Sequence, residues 1–135
     1  MLISTMHLTC YGTEREMYSG EIRDYVLSVL SEAYKNTKPG TRKSDVLKDI
    51  LEKNNYQQLG KSRREEVKKI FNGYKNVSAA MRGELEKLGF TLTEEGKHYK
   101  ALYHGDSRYM ITIAKTPSDN RTGMNVAHSI GETAF

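Results

Sequence analysis

The spacing of apolar residues changes partway along the chain, near residue 78. Before that point, apolar side chains recur every three or four residues, as they do on one face of a helix. The clearest example follows the i, i+3, i+4 and i+7 spacing: Val67, Ile70, Phe71 and Tyr74. After that point, apolar and polar residues alternate in short runs, which is typical of strands. The pattern therefore predicts a helical first half and a second half built around a small sheet.

Three helices are predicted before residue 76, and an edge strand is predicted before them over residues 2–11. The first helix carries an apolar stripe at helical spacing: Ile22, Val26, Val29, Leu30 and Ala33. Either Ser19 or a capping box, Thr13-x-x-Glu16, could supply its start. Pro39 and Gly40 end it, because proline disfavours helical geometry at the preceding residue and glycine permits a turn.

Serine residues mark the predicted starts of the next two helices. Ser44 is the predicted N-cap of the second helix, because a serine oxygen can accept a hydrogen bond from an unpaired amide. Ser62-x-x-Glu65 has the spacing of a capping box and predicts the start of the third helix. The apolar stripes on these helices indicate burial in a core rather than contact with a cofactor.

From Ser78 onward the predicted order is helix, strand, strand, strand, helix. Ser78 caps the first of these helices and Gly89 ends it, since glycine readily adopts the left-handed geometry that stops a helix. The strands are predicted over residues 90–93, 98–104 and 108–114, joined by polar turns that favour antiparallel pairing. Either Ser118 or Asp119 caps the last helix, in which Gly123 is expected to be a weak point.

The fold class that follows is α+β. Residues 1–75 are predicted to form a mainly helical N-terminal region, and residues 76–135 an α-β-β-β-α domain with a three-stranded antiparallel sheet. With 135 residues, 37% of them apolar and 28% charged, the chain suits one soluble domain or two very small ones. No apolar run approaches the ~20 residues that span a bilayer, so we expect a cytoplasmic protein with no membrane contact.

The sequence offers few residues for metal or cofactor chemistry. The single cysteine, Cys10, has no partner for an internal disulfide, and His7-x-x-Cys10 supplies too few ligands for a structural zinc site. No glycine-rich phosphate loop, paired-carboxylate metal site or serine triad occurs in the sequence. We therefore expect no cofactor and no bound metal.

The positive charge is concentrated in the middle of the chain. The whole chain has a formal net charge of +4, but residues 35–75 hold twelve Lys or Arg against five Asp or Glu. Arg63, Arg64 and Lys68 in this segment are candidates for contact with nucleic-acid phosphates. A solvated helix face explains the same charge run equally well, so both interpretations stay open.

Three short motifs in the second half carry a resemblance to a known family. Leu88-Gly89-Phe90 ends a helix, Gly96-Lys97-His98 opens the second strand, and a polar loop over residues 118–123 leads to the last helix. In this order the motifs resemble those of the HicA-type toxin domain, a small relative of the double-stranded-RNA-binding fold. The resemblance covers residues 78–133, and Lys97 stands where the family has serine.

The resemblance implies that His98 is the catalytic histidine of a ribonuclease that cleaves messenger RNA. An imidazole that titrates near neutrality can take a proton from a ribose 2′-hydroxyl, while cations stabilise charge on the phosphate. The candidates for this second role, and for binding nucleic acid generally, are Lys97, Lys100, Arg108, Lys115 and Arg121.

Three hypotheses follow for the function of this chain. The leading one is a nucleic-acid-binding protein, with RNA favoured over DNA, that acts in a bacterial or phage conflict system. The second is a metal-independent, HicA-type ribonuclease that uses His98. The third is a protein-interaction module that binds a partner through its N-terminal helices.

Overall fold

The computed structural model describes residues 12–135, which form five α-helices and one three-stranded antiparallel sheet. The elements in chain order are α1 (Glu21–Lys35), α2 (Arg42–Lys53), α3 (Leu59–Phe71), α4 (Ala79–Lys87), β1 (Phe90–Glu95), β2 (His98–Tyr103), β3 (Asp106–Ala114) and α5 (Asn120–Ala134). The predicted α+β class and the α-β-β-β-α order of the second half are confirmed. The edge strand predicted over residues 2–11 lies outside the described residues.

β2 is the central strand of the sheet, with β1 and β3 antiparallel on its two sides. Both connections are tight hairpins. Gly96 in the first turn has a φ of 61°, and His104 and Gly105 in the second have φ values of 48° and 70°. Positive φ in such turns matches the right-handed twist of the strands they join. The β1–β2 hairpin and the end of β3 therefore lie at the same end of the sheet.

The strands alternate between a buried and an exposed face. Ala101 and Ile113 are fully buried, and Leu92 and Ile111 are nearly so. On this side α4 contacts β1 and α5 contacts β3. The opposite positions are mostly polar and at least partly exposed: Thr91, Thr93, Lys100 and Thr112, together with Leu102 and Met110. The sheet thus has one apolar face for the core and one mainly polar face.

Local signals fix both ends of α4 where the sequence predicted them. The Ser78 hydroxyl accepts a hydrogen bond from the Met81 amide at 3.1 Å, and Gly89 has a φ of 105° after the last turn. A side chain at Gly89 would also overlap the ring of His104, whose amide donates to the Gly89 carbonyl at 2.8 Å. Glycine is therefore required at this position both for its backbone geometry and for the close approach of His104.

Asp119 caps α5, which settles the choice between Ser118 and Asp119. Its carboxylate accepts hydrogen bonds from the amides of Arg121 at 2.9 Å and Thr122 at 3.0 Å. The expectation that Gly123 is a weak point in this helix is wrong. A Cβ at Gly123 would lie 2.6 Å from the Phe71 carbonyl oxygen, so glycine allows α5 to pack against the end of α3.

The N-cap of the first helix is neither of the two predicted residues. α1 begins after Gly20, which has left-handed backbone geometry, so neither Ser19 nor Thr13 is its N-cap. Instead, the amide of Ile22 donates to a carboxylate oxygen of Glu16 at 3.0 Å. A carboxylate outside the helix thus satisfies one of the amides that a helix start leaves unpaired.

The caps predicted for α2 and α3 are also wrong. The Thr41 hydroxyl accepts a hydrogen bond from the Ser44 amide at 3.3 Å, so Thr41 caps α2 and Ser44 lies inside it. α3 begins at Leu59, before Ser62, and the predicted capping box therefore falls within the helix. The carboxylate of Asp24 in α1 accepts from the Leu59 amide at 2.8 Å and caps α3 instead.

α1 buries a different face from the predicted stripe. Asp24 and Leu27 are buried, whereas Ile22 is 44% exposed and Val29 is 66% exposed. Because the Asp24 carboxylate must reach the start of α3, the side of α1 that carries it turns inward. Leu27 follows on the same side of the helix.

The chain divides into two compact units between Gly60 and Lys61, near the start of α3. Most of α3 belongs to the second unit, where the Phe71 carbonyl lies against Gly123. Tyr74, just after α3, donates its hydroxyl to the Ala114 carbonyl at 3.3 Å. The division between residues 75 and 76 stays a prediction from the sequence.

Candidate nucleic-acid interface

A cavity of about 620 Å³ lies at the end of the sheet where the β1–β2 hairpin, the end of β3 and the first turn of α5 meet. The residues that line it are Gly96, Lys97, His98, Ala114, Lys115, Thr116, Ser118 and Thr122. Three predicted site residues, Lys97, His98 and Lys115, are therefore brought together in one cavity. The register explains this, because His98 at the start of β2 pairs with Ala114 at the end of β3.

His98 presents its imidazole at the surface. It is the first residue of β2, and alternation along the strand places it on the polar face of the sheet, opposite to Ala101. Its side chain is exposed, and within residues 12–135 it makes no hydrogen bond or ion pair. The ring nitrogens of an imidazole can act as hydrogen-bond donors or acceptors depending on protonation.

Lys97 and Lys115 are joined by a backbone hydrogen bond, but their side chains have different partners. The Lys115 amide donates to the Lys97 carbonyl at 3.0 Å, which holds the hairpin turn beside the end of β3. The Lys97 side chain is exposed and has no carboxylate partner among the described residues. Lys115 is more enclosed, and its Nζ lies 3.1 Å from Oε2 of Glu94.

Glu94, Tyr99 and Arg82 surround the ammonium group of Lys115. The Tyr99 hydroxyl donates to Oε1 of Glu94 at 3.4 Å. Lys115 Nζ and Arg82 Cζ both lie 5.3 Å from the centroid of the Tyr99 ring, within the range of a cation–π contact. The hydrogen bond and positive charge of Lys115 lower the pKa of the Glu94 carboxyl below its usual value.

These three surrounding residues were not among the predicted site residues. Strand register could have found two of them, because Glu94 and Tyr99 are directly opposite each other on β1 and β2. Arg82 lies on α4, and its Nη2 donates to the Leu92 carbonyl at 3.0 Å. Only the packing of α4 on β1 brings Arg82 to this position.

Lys100 and Arg108 are paired with acidic residues and do not line the cavity. Lys100 Nζ lies 2.9 Å from Oε2 of Glu95. Arg108 forms a two-point contact with Asp106, with distances of 3.1 Å from Nε to Oδ1 and 2.7 Å from Nη2 to Oδ2. Both cations are thus held by carboxylates on their own hairpins.

Arg121 lies in the first turn of α5, and its side chain is exposed. The neighbouring Thr122 lines the cavity, whereas Arg121 does not. The amides of both residues are already hydrogen-bonded to Asp119, so the start of this helix is capped from within the chain.

The three basic candidates on α3 occupy different environments from one another. Arg64 Nη1 lies 3.1 Å from Oε1 of Glu132 on α5. Arg63 lines a second cavity of about 260 Å³ with other residues of α3, of α4 and of the C-cap of α4: Ser62, Glu66, Glu84, Lys87 and Leu88. Lys68 is exposed to solvent. None of the three lines the cavity that contains His98.

The other histidines of the described chain are remote from His98. His104 follows the opposite end of β2, where its ring lies against Gly89 and Tyr103. His128 is exposed on α5 and does not line the cavity. Within residues 12–135, no group of three or more potential ligand residues could hold a metal ion. Across the same residues, no helix has the length and apolar character needed to span a membrane.

Comparison with known proteins leaves the fold and site to be interpreted on their own geometry. No protein-family model, curated protein or solved structure matches the chain.

Proposed function

We propose that the protein binds RNA through the cavity at the end of its sheet. The observation that carries the proposal is the convergence of Lys97, His98 and Lys115 on this one cavity. Ammonium groups attract the phosphate backbone, and an exposed imidazole can hydrogen-bond a phosphate oxygen or a ribose 2′-hydroxyl. The threonine and serine hydroxyls in the lining add uncharged donors for the same oxygens.

The preference for RNA over DNA rests on the resemblance to the double-stranded-RNA-binding fold. Such folds recognise the shape of the duplex and its 2′-hydroxyl groups more than its base sequence. The proposed role of α3 is secondary, since Lys68 is exposed while Arg64 is engaged by Glu132. Lys68 would add a backbone contact outside the cavity.

The proposal is tested by measuring the affinity for a stem-loop RNA over a range of salt concentrations. We expect the logarithm of the affinity to fall linearly with the logarithm of salt. Replacing Lys97, Lys100 and Lys115 by alanine should reduce the slope by about 2, or about one unit for each of the two lysines that line the cavity, Lys97 and Lys115. The matched control replaces Lys38, Lys43 and Lys53, which are exposed lysines of the first unit. Equal losses in the two triple variants, or a flat salt dependence, would contradict the proposal.

A metal-independent ribonuclease is the second candidate function. The observation that favours it is that His98, whose side chain is exposed, lines the same cavity as Lys97 and Lys115. In this reaction His98 takes the 2′-hydroxyl proton, and the 2′-oxygen attacks phosphorus. The P–O5′ bond breaks, leaving a 2′,3′-cyclic phosphate, and the 5′-oxygen takes up a proton from the imidazolium. Lys97 and Lys115 would stabilise the charge on the phosphoryl oxygens.

The two candidates are separated by incubating the protein with the same RNA and analysing the products. Cleavage that yields 2′,3′-cyclic phosphate ends, is lost in His98→Ala and is retained in His128→Ala would establish the ribonuclease. His128 is the matched control because it is exposed but does not line the cavity. If the protein binds the RNA but does not cleave it, the ribonuclease is rejected and the RNA-binding function is retained.

A HicA-like identity for residues 76–135 is part of the same proposal. The order of elements supports it, as do the positions of Gly89 before β1 and His98 at the start of β2. Growth arrest on expression of the wild type, relieved by His98→Ala, would support a toxin role in a conflict system. A protein partner for the N-terminal helices stays a prediction.

A further inference from the structure

We propose that Glu94 is an internal counter-ion that holds Lys115 in the free protein and releases it when a phosphate enters the cavity. This inference rests on the proposed RNA-binding function and names the residue that regulates that site. By competing with the ligand, Glu94 lowers the affinity for any phosphate. A ligand with several phosphates can still bind, because other cations supply contacts for which Glu94 does not compete.

The geometry places Glu94 in direct competition with a ligand. Lys115 lines the cavity, and its Nζ is 3.1 Å from Oε2 of Glu94, which is within hydrogen-bond distance. A phosphate oxygen that bound the same ammonium group would have to share or replace this contact. Glu94 itself does not line the cavity, so it meets the ligand only through Lys115.

Glu94 keeps other favourable contacts when Lys115 leaves. The Tyr99 hydroxyl donates to its second oxygen, and Arg82 lies close enough to lower the pKa of the Glu94 carboxyl by its charge. Arg82 is fixed in turn by its hydrogen bond to the Leu92 carbonyl. The Glu94 carboxylate therefore still has Tyr99 and Arg82 close to it after Lys115 moves to the phosphate. The release of Lys115 does not leave a negative charge without a partner.

The Tyr99 ring keeps the lysine close to the cavity in both states. Its centroid is 5.3 Å from Lys115 Nζ, a distance at which the ring face attracts an ammonium group. Because Glu94 is solvent-exposed, its ion pair with Lys115 is weak enough to be displaced. An exposed pair of this kind changes an equilibrium by about two- to fivefold.

Glu95 provides a matched control on the same strand. It is adjacent to Glu94, and by strand alternation its side chain lies on the opposite face of the sheet. It pairs with Lys100 at 2.9 Å, and Lys100 does not line the cavity. Glu94→Gln and Glu95→Gln therefore change the net charge equally but free different lysines.

The experiment measures the affinity of wild type, Glu94→Gln and Glu95→Gln for a stem-loop RNA and for inorganic phosphate at fixed salt. We expect Glu94→Gln to bind RNA about two- to fivefold tighter than Glu95→Gln does. The relative gain should be similar for inorganic phosphate, because both ligands must displace Glu94 from Lys115. In parallel, carboxyl carbon NMR of the wild type should show the pKa of Glu94 rising towards its ordinary value when RNA saturates the site.

The outcomes separate this inference from the proposed function. If the wild type binds RNA but the two variants gain equally, or the pKa of Glu94 does not move, then the counter-ion role is overturned and RNA binding stands. If only Glu94→Gln binds, the counter-ion role is supported and RNA binding by the unaltered chain is rejected. If none of the three proteins binds RNA or phosphate, both proposals fall.

Discussion

The carboxylate of Asp24 in α1 accepts hydrogen bonds from the backbone amides of Leu59 and Gly60, at 2.8 Å and 3.0 Å. These amides open α3, where a helix leaves its first donors unpaired. Asp24 is only 6% exposed and lies 35 residues earlier in the chain than Leu59. A side chain distant in sequence thus performs the capping role that usually falls to a neighbouring residue.

Replacing Asp24 by alanine should lower the free energy of unfolding by about 1–3 kcal/mol. The change removes a buried acceptor and leaves two amides without a partner at the start of α3. Urea unfolding followed by circular dichroism measures the effect. Asp49→Ala is the control, because Asp49 is exposed and forms only a surface ion pair with Lys53. Similar stabilities for the two variants would mean that Asp24 does not hold the helix start.

Alanine at two different glycines should have opposite effects on stability. Gly123→Ala should destabilise the protein by about 1–3 kcal/mol, because the new Cβ would lie 2.6 Å from the Phe71 carbonyl oxygen. Gly83→Ala should stabilise it by about 0.5–1 kcal/mol, since Gly83 lies within α4 and a Cβ there meets nothing within 4 Å. Thermal unfolding of both variants measures the two changes in stability. If Gly123→Ala were more stable than the wild type, the close packing of α5 on α3 would be contradicted.

Ser78 and Ser62 are both predicted from the sequence to begin a helix, but their replacement by alanine should change the stability of the protein differently. Ser78→Ala should cost about 1 kcal/mol, because the Ser78 hydroxyl accepts from the Met81 amide at the start of α4. Ser62→Ala should be neutral or slightly stabilising, because Ser62 lies inside α3 and alanine is the better helix former there. Denaturant midpoints of the two single variants give the comparison. A larger loss for Ser62→Ala would restore the capping box that its sequence suggests.

The pH dependence of stability should include a small contribution from Glu94. Its pKa is lower in the folded protein than the ordinary value of 4.5, chiefly because of the hydrogen bond and charge of Lys115. The stabilisation is therefore fully present above the ordinary pKa and disappears as the pH falls through the lower folded pKa. Lys115→Ala should raise the pKa of Glu94, which carboxyl carbon NMR can follow directly. Lys100→Ala is the control, since Lys100 pairs with Glu95, and an equal change there would rule out Lys115 as the cause.

Local chemistry explains which parts of the fold could be predicted from the sequence. Ser78 and Asp119 cap their helices through amides only two or three residues away, and Gly89 stops α4 through its own backbone geometry. The alternation of side chains along β2 likewise puts Ala101 and Tyr103, which are buried, on one face of the strand. Each of these features depends on a few consecutive residues, so the pattern of the chain was sufficient.

Contacts between distant residues explain what the pattern missed. Ser62 had the spacing of a cap, but Asp24 reaches α3 first and moves its start to Leu59. Gly123 was predicted to weaken its helix, but the Phe71 carbonyl packs so close to it that only glycine fits there. In each case a local preference worth about 1 kcal/mol or less was outweighed by a tertiary contact.

The candidate site divides in the same way. The sequence by itself determined that an imidazole opens β2 beside a lysine in the turn, because His98 and Lys97 are neighbours in the chain. Only the tertiary structure decided that Lys115 joins them while Lys100, Arg108, Arg121 and the α3 cations do not. The physical reason is that strand register and helix packing set the distances between charges, and a carboxylate such as Glu94 acts only on the cation that folding brings within reach.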